Sequence, residues 1–576
     1  MNIRIKKALI ATTVLISVIT TTACSGSKEA SPSPSAVASI VPPSNSPVVA
    51  ADPFEKYAEP VEVSVIYSRN PVSEEKFIPD SSYENNFNND FYSEKLNIKP
   101  VVKWSAAAGD SFTQKYNLMI ASNDLPDIFV LDGDGKQSTR SMLKKLVDSE
   151  MVEEVTGAFE KYASDDIKKY YQGFDNQALD YASFDGKMYG IPLQGDTYSN
   201  LPVLWIRKDW LDKLGLQEPK NMDDMLNIAK SFKEKDPDGN AKNDTYGLGM
   251  FNTFYKANDT FSAISIFNYF DGYPNSWIKN SEGKVVYGGV QPEAKKGLSI
   301  LASMFKDGLI DPEFPLKDGN KIGESISSGK TGMMFGQWWN AWWPLGGSID
   351  TDTKSDWKAY QLTSDGTVRA SMSFPVTKFL VVRKGYKHPD LAVKLVNVTT
   401  AANDSKYPEL TQRRLDLTAK YGADKTDPDT IFPRGGIGAL DTTLKSYKKF
   451  ESILSGKADT SILDIAESLI YPDLKANQDN PRKDVNKYKN YINWMYGIGS
   501  IANVKLDIKW NAFSGTTPSF DAKMPSLQDK QLQAYTKIVM GKEPIEYFDT
   551  FVKEWNSLGG DKITEEVNLE LQKEGK

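Results

Sequence analysis

The sequence predicts an α/β fold with a largely parallel sheet, and three observations carry that expectation. Strand-like and helix-like hydrophobic patterns alternate along the chain. The 576 residues are 40% hydrophobic and 25% charged, as in an ordinary soluble globular protein. No internal repeat sets the period of a solenoid or a propeller.

The elements follow in order. Val61, Val63, Val65 and Tyr67 alternate with Glu62, Ser64 and Ile66, the period of a strand. Ile98–Val102 reads as a second strand, Ser111–Ser122 as a helix, and Leu125–Val130 as a third strand after a turn. Met188–Pro192 and Val203–Ile206 are two strand-like runs joined by a polar loop. Helices are expected over Asp209–Leu214 and Asn221–Lys235. Further strands are expected over Lys284–Tyr287, Thr331–Phe335 and Phe379–Val382, and amphipathic helices over His388–Thr399 and Asp529–Met540.

Composition excludes several classes of function. The formal charge is -7, from 69 basic and 76 acidic residues of mixed placement, so no broad basic surface exists for nucleic acid. The chain has one histidine and one cysteine, which excludes a His-rich metal site and an internal disulfide. His388, in the turn-like stretch Lys384–Pro389, reads as a surface loop residue.

The N-terminus reads as an export signal. Arg4, Lys6 and Lys7 precede the uncharged stretch Ala8–Ala23, which falls short of the ~20 residues of a membrane span. Thr21-Thr22-Ala23-Cys24 resembles a bacterial lipobox, with Thr21 where leucine is usual. Residues 1–23 are therefore expected to be a lipoprotein signal peptide and Cys24 the lipidated, new N-terminal residue. Ser25–Ala51 holds eight Ser and five Pro and too little apolar surface to fold. Residues 24–52 read as a disordered tether reaching ~30 Å.

Several segments of the body resemble the family 1 extracellular solute-binding proteins of ABC importers, in particular the large oligosaccharide-binding lipoproteins of Gram-positive bacteria. They are Ser122–Ile128, Asp185–Pro192, Trp205–Leu211, Gly329–Met334, and the helix Asp529–Met540 with Gly541 and Lys542. The resemblance implies a periplasmic-binding-protein-like fold of two α/β lobes, each a mainly parallel sheet flanked by helices, with the ligand between them. By that analogy residues 53–202 and about 372–510 form the N-lobe. Residues 203–371 and about 511–576 form the C-lobe. The chain would cross near Asn200–Trp205, Ser371–Thr377 and residue 510.

Asp236, Asp238, Asn240 and Asp244 fall at positions 1, 3, 5 and 9 of an EF-hand-like loop, with the carbonyl of Lys242 at position 7. Calcium takes six to eight hard oxygens, and alternate residues of a tight loop can turn theirs inward. Position 6 is Ala241 and position 12 is Gly247, where the pattern has Gly and Glu. The oligosaccharide-binding branch carries a similar single loop, often with an acid where Thr245 stands. A structural calcium ion is expected.

Trp338, Trp339, Trp342 and Trp343 form the densest aromatic cluster, after the strand expected to end at Phe335. Sugar C–H faces pack on aromatic rings while hydroxyls need planar polar partners. In maltose-binding relatives the segment after the corresponding strand supplies a stacking Trp, which maps onto Trp338 or Trp339. Tyr67, Asp132, Asp196, Tyr198, Trp277, Arg434 and Trp510 are further candidates, each after a strand, in a loop or near a crossing.

The expected function is non-enzymatic. A carbohydrate, most simply an oligosaccharide, or another small solute is captured between the lobes and delivered to ABC permease subunits. The protein would be a monomer on the outer face of the cell membrane, held there by its lipid anchor alone. The competing class is a lipid-anchored glycoside hydrolase, which needs two carboxylates facing across a cleft.

Overall fold

The computed structural model describes residues 51–573 except 134–137, 257 and 423. Cys24, the signal peptide and nearly all of the tether lie outside the described residues.

Two sheets organise the body. The first has the order Ile128–Asp132, Lys378–Val382, Ile191–Leu193, and its central strand runs antiparallel to both neighbours. Beside it Val61–Arg69 pairs in parallel with Ile98–Ala107. Val61, Val63 and Val65 are buried and Glu62 is exposed, so the alternation in the sequence is the alternation of the two faces. The third strand starts at Ile128, not Leu125, because Pro126 has no N–H to donate. Asp127 stitches these strands together. It accepts from the Ser64 amide and hydroxyl at 2.8 and 2.7 Å and from Arg383 at 2.6 Å. Burial pushes its carboxyl up, but these hydrogen bonds outweigh it and hold the pKa below the usual value.

Asp390–Asn403 crosses this half as a helix buried from Leu391 to Ala401, so it is central rather than amphipathic. Its Lys394 is 2% exposed, paired with Asp390 at 3.2 Å, and lies 4.2 and 4.6 Å from the rings of Tyr57 and Tyr162. His388 lies before this helix, edge-on to Tyr57 and Tyr386.

The second sheet has the order Trp357–Tyr360, Val203–Arg207, Thr331–Gly336, Tyr246–Gly249. Val203–Arg207 is buried throughout and antiparallel to both neighbours, while the last two strands are parallel. Leu204 and Ile206 face one core, Val203 and Trp205 another. Tyr246–Gly249 escapes sequence reading because two of its four residues are glycine, which weakens a strand pattern. A Cβ on Gly247 would come within 2.7 Å of Ala229 Cβ, so the helix Met222–Glu234 packs only on a bare backbone there.

Thr367–Met372 and Lys505–Trp510 form a parallel pair beside the crossings. The helices Thr442–Leu454 and Val485–Tyr491 and the π-helical turn Ile492–Ile498 fall in the stretch that the sequence groups with the first lobe. Their buried contacts are with Trp338, Ala341, Leu345 and Trp357, which belong with the second sheet.

Candidate ligand-binding cleft

A cavity of about 600 Å³ lies where the two halves of the body meet. Its walls come from distant parts of the chain. Gly195–Thr197 and Asn200 follow the strand Ile191–Leu193, and Ser371–Pro375 with Thr377 lead into Lys378–Val382. Lys256, Asn258, Asn275 and Ser276 come from the second half, and Asn511 follows the strand Lys505–Trp510. Segments far apart in sequence thus reach this one cavity.

The polar groups of the cavity are held in place from behind. Asp196 Oδ2 accepts a 2.6 Å hydrogen bond from the Thr443 hydroxyl, at the start of the helix Thr442–Leu454. Asn258 donates through Nδ2 to Ser371 O at 2.9 Å, and its own carbonyl accepts from Gln337 Nε2 at 2.8 Å. The Gln337 carbonyl in turn accepts from Trp205 Nε1 at 2.9 Å. Two acceptors remain without a partner although both are buried, Asp196 Oδ1 and Asn258 Oδ1. Gln194 Oε1, just before Asp196, is a third. Buried polar atoms almost always find partners, and two of these three orphans belong to residues that line the cavity.

Of the sequence candidates, only Asp196 lines this cavity. The tryptophan cluster begins one residue after Gln337. Trp338 and Trp339 are half-buried, whereas Trp342 and Trp343 are 53% and 45% exposed. The Trp338 ring lies 6.1 Å from Trp342 and 5.1 Å from Trp494. Trp342 Nε1 donates to Asn490 at 2.9 Å, and Trp343 stands edge-on to Phe261. Tyr67 and Asp132 sit in the first half, where Tyr67 donates to Glu84 and Asp132 pairs with Lys378 at 2.9 Å. Tyr198 stacks on Trp510, and Trp510 lines a second cavity of about 660 Å³ with Tyr181 and Tyr273, which shares Phe374 and Asn511 with the first. Arg434 is tied to Asp429.

Trp277 requires a correction. It is 4% exposed and packs on Tyr287, Phe513 and Phe520, so it is core and offers no face to a ligand. Sequence reasoning also missed Asn258 and Lys256. They follow the glycine-weakened strand Tyr246–Gly249, and no strand reading pointed to the loop after it.

The EF-hand-like loop follows the helix Met222–Glu234, whose N-cap is Asn221. Gly239 and Ala241 have φ of +76° and +60°, so Ala241 takes the left-handed turn that the loop pattern gives to glycine. Asn240 Nδ2 donates to Asp238 at 2.7 Å and to Asp244 at 3.0 Å, and the Ala241 amide donates to Asp236 at 3.0 Å. The Lys242 amide donates to Asn240 Oδ1 at 2.7 Å. A hydrogen bond from Asp238 holds Asp236 below its ordinary pKa. Burial, then that same contact and the neighbouring charges, push Asp238 up. Neighbouring carboxylates that raise one another's proton affinity are what a dication would relieve, so the donor set fits calcium in kind. Thr245 is fully buried and donates to Phe232 O, which removes that position as a ligand. Among the described residues no three acidic, His or Cys side chains are already gathered at metal-ligand spacing. Amide hydrogens occupy the carboxylate oxygens instead.

Comparison with known proteins gives three kinds of match. The family model described as bacterial extracellular solute-binding protein matches residues 76–402, more than half of the chain. The lipoprotein LipO of Bacillus subtilis is 29% identical over 40% of this chain and 43% of its own length. The fructooligosaccharide ABC transporter substrate-binding protein FusA of Streptococcus pneumoniae is 26% identical over 56% of this chain and 54% of its own length. The chain therefore spans about half the length of the curated relatives it matches. Among solved structures, an HMO-binding, ABC-transporter-associated solute-binding protein from Bifidobacterium longum infantis has the same fold. Its TM-score is 0.57 at 16% identity, covering 88% of this chain and 97% of that one.

Proposed function

Because this chain belongs to the bacterial extracellular solute-binding proteins, a family of binding subunits and not of enzymes, we propose that it captures an oligosaccharide in the cavity between its two halves and hands it to an ABC permease. The observation that carries this reading is the pair of orphaned acceptors, Asp196 Oδ1 and Asn258 Oδ1, on two residues that line one polar cavity. Sugar hydroxyls are the donors such atoms lack. The fructooligosaccharide binding of FusA points the same way. Asp196 is the single carboxylate among the described lining residues, whereas glycoside hydrolysis needs two.

The mechanism is lobe closure. Asp196 follows the first sheet and Asn258 the second, so one ligand can bond to both halves at once. Contacts available only in the closed form give it a differential affinity, and that alone shifts the equilibrium between open and closed. The N-lobe is read as residues 53–202 with the chain from about 372. The C-lobe is read as 203–371 with the chain from about 511, and the helices of 442–502 lie against it. Trp338 and Trp339 would extend the cavity as stacking surfaces. Asp236, Asp238, Asn240, Lys242 and Asp244 would hold a calcium ion that stiffens its loop.

The same reading places Cys24 in a lipid anchor on the outer face of a Gram-positive membrane, with a monomeric body. Among the described residues no helix is long and apolar enough to cross a membrane. Two acyl chains give a stable hold. Cys24→Ala should therefore leave the membrane fraction or stay unprocessed; a processed variant that still sediments with membranes would refute the anchor.

A thermal-shift screen against oligosaccharides of different linkage tests the main reading. A bound sugar at about 100 times its Kd adds ~2.7 kcal/mol of stability. In the same assay a chelator should lower the melting temperature, and Asp238→Ala should abolish that response. The chelator effect should be largest at neutral pH. It should fade as pH falls through the raised pKa of Asp238, since the ion must displace that proton. Identical melting curves with and without chelator would remove calcium from the account.

A further inference from the structure

We propose that the stretch 434–502 straps the two halves together beside the cavity, and that Thr443 is its positioning residue, setting the cavity-wall loop that carries Asp196. This deepens the carbohydrate reading above and rests on it. The strap has a foot in each core. Ile437 and Leu440 are buried in the core of the first sheet, and the Ile437 amide donates to the Thr400 hydroxyl at 3.0 Å. Gly435 and Gly436 press so closely on Leu193 and Asn403 that neither position has room for a Cβ. Leu444 already packs on the other side, against the cores that hold Trp205, Trp357 and Trp494. Phe450, Ile492 and Ile498 follow it there. Lys489 pairs with Asp350 at 2.6 Å, and Asn493 accepts from the Ala341 amide at 2.9 Å.

The short passage from Leu440 to Leu444 runs along the loop that supplies Gly195, Asp196 and Thr197 to the cavity. Residues 194–197 belong to neither strand nor helix, so their polar groups need partners from elsewhere. The strap provides them. The Leu440 carbonyl accepts from the Thr197 and Tyr198 amides at 2.8 and 2.9 Å, and the Gly438 amide donates to the Gln194 carbonyl at 3.1 Å. The one side-chain tie is the Thr443 hydroxyl, which donates to Asp196 Oδ2 at 2.6 Å. Thr443 is the second residue of the helix Thr442–Leu454, and the N-cap Asp441 makes no side-chain cap bond. The Asp196 carboxylate thus meets the positive end of that helix, where an anion is favoured. Asp196 follows a strand of the first sheet, whereas the helix that holds it rests on the second half. Its orientation is therefore set by a part of the chain that moves with the opposite half.

The test is calorimetric titration of the full folded body with kestose, maltotriose, cellotriose, mannotriose, xylotriose and trigalacturonate, the tightest binder serving as probe. Thr443→Val keeps the size of the side chain and removes the hydroxyl. It should weaken the probe about tenfold, the loss of one hydrogen bond to a charged group. Thr443→Ser returns the hydroxyl and should return the affinity. Asp196→Ala should weaken the probe as well, and adding Thr443→Val to it should change nothing further, because the hydroxyl acts through that carboxylate. Hydrogen exchange without sugar gives a second readout. The Thr197 and Tyr198 amides should exchange faster in Thr443→Val, while those of the strand Lys378–Val382 keep their protection, which separates a local role from general instability. A folded Thr443→Val protein with parental affinity overturns the inference and leaves the carbohydrate reading standing. So does a double variant that binds more weakly than Asp196→Ala alone. If none of these sugars binds the parent, the carbohydrate reading fails and takes the inference with it.

Discussion

Trp205→Ala is expected to cost about 3–5 kcal/mol of folding stability, the range for emptying a buried aromatic site. Trp205 is fully buried at the centre of the second sheet and packs in the core shared with Trp357, Ile349 and Met372. Its ring also does something a smaller side chain cannot. The indole N–H holds the Gln337 carbonyl, and the Gln337 amide holds Asn258 at the cavity wall. Trp205→Phe refills most of the space but orphans that carbonyl, for about 1–3 kcal/mol. Scanning calorimetry should therefore rank the melting temperatures wild type, Trp205→Phe, Trp205→Ala. The Phe variant should also bind sugar more weakly than its modest instability explains. A Phe variant with parental affinity would show that Gln337 does not position Asn258.

Trp338→Ala is expected to weaken sugar binding by about 2 kcal/mol or more, roughly thirtyfold, as for other aromatic anchors. Trp338 follows Gln337, whose amide holds the Asn258 backbone carbonyl, and its ring is braced by Trp342 and Trp494. Its carbonyl presses on the π-helical turn, where a Cβ on Gly497 would come within 2.4 Å of it. The ring packs against a core and keeps part of its surface exposed. Trp342→Ala is the control for lost bracing: it removes the neighbour and the bond to Asn490 but leaves Trp338 in place. Calorimetric titration with the sugar found in the screen, with circular dichroism for folding, separates the cases. If folded Trp338→Ala and Trp339→Ala proteins both bind like the parent, the stacking wall is not this cluster.

Local chemistry made part of this protein readable. The strand Val61–Arg69 shows in the sequence because one face is buried and the other is not, so its side chains alternate in kind. The helix Met222–Glu234 shows because Asn221 caps it and its apolar residues recur at helical spacing. The EF-hand-like loop shows because its oxygen-bearing side chains come at fixed intervals within nine residues.

Other features had no local signature. The strand Tyr246–Gly249 is a strand because its neighbours supply the hydrogen bonds and its glycines let Ala229 approach. Trp277 and Trp342 are the same residue type. One became core and the other half-exposed surface according to what packed on each. The helices of 442–502 follow a first-half strand in sequence, yet their apolar faces found partners on the second sheet.

The sequence by itself determined the α/β elements, the two-lobed family, the loop chemistry and the carboxylate of Asp196. Only the tertiary structure decided that Asp196, Asn258, Ser371 and Asn511 would share one cavity, and that two of their acceptors would be left unpaired. The reason is physical. Hydrogen-bonding capacity belongs to a residue, but whether it is satisfied depends on everything folded around it. Here segments far apart in sequence bury those acceptors without bringing any donor to meet them.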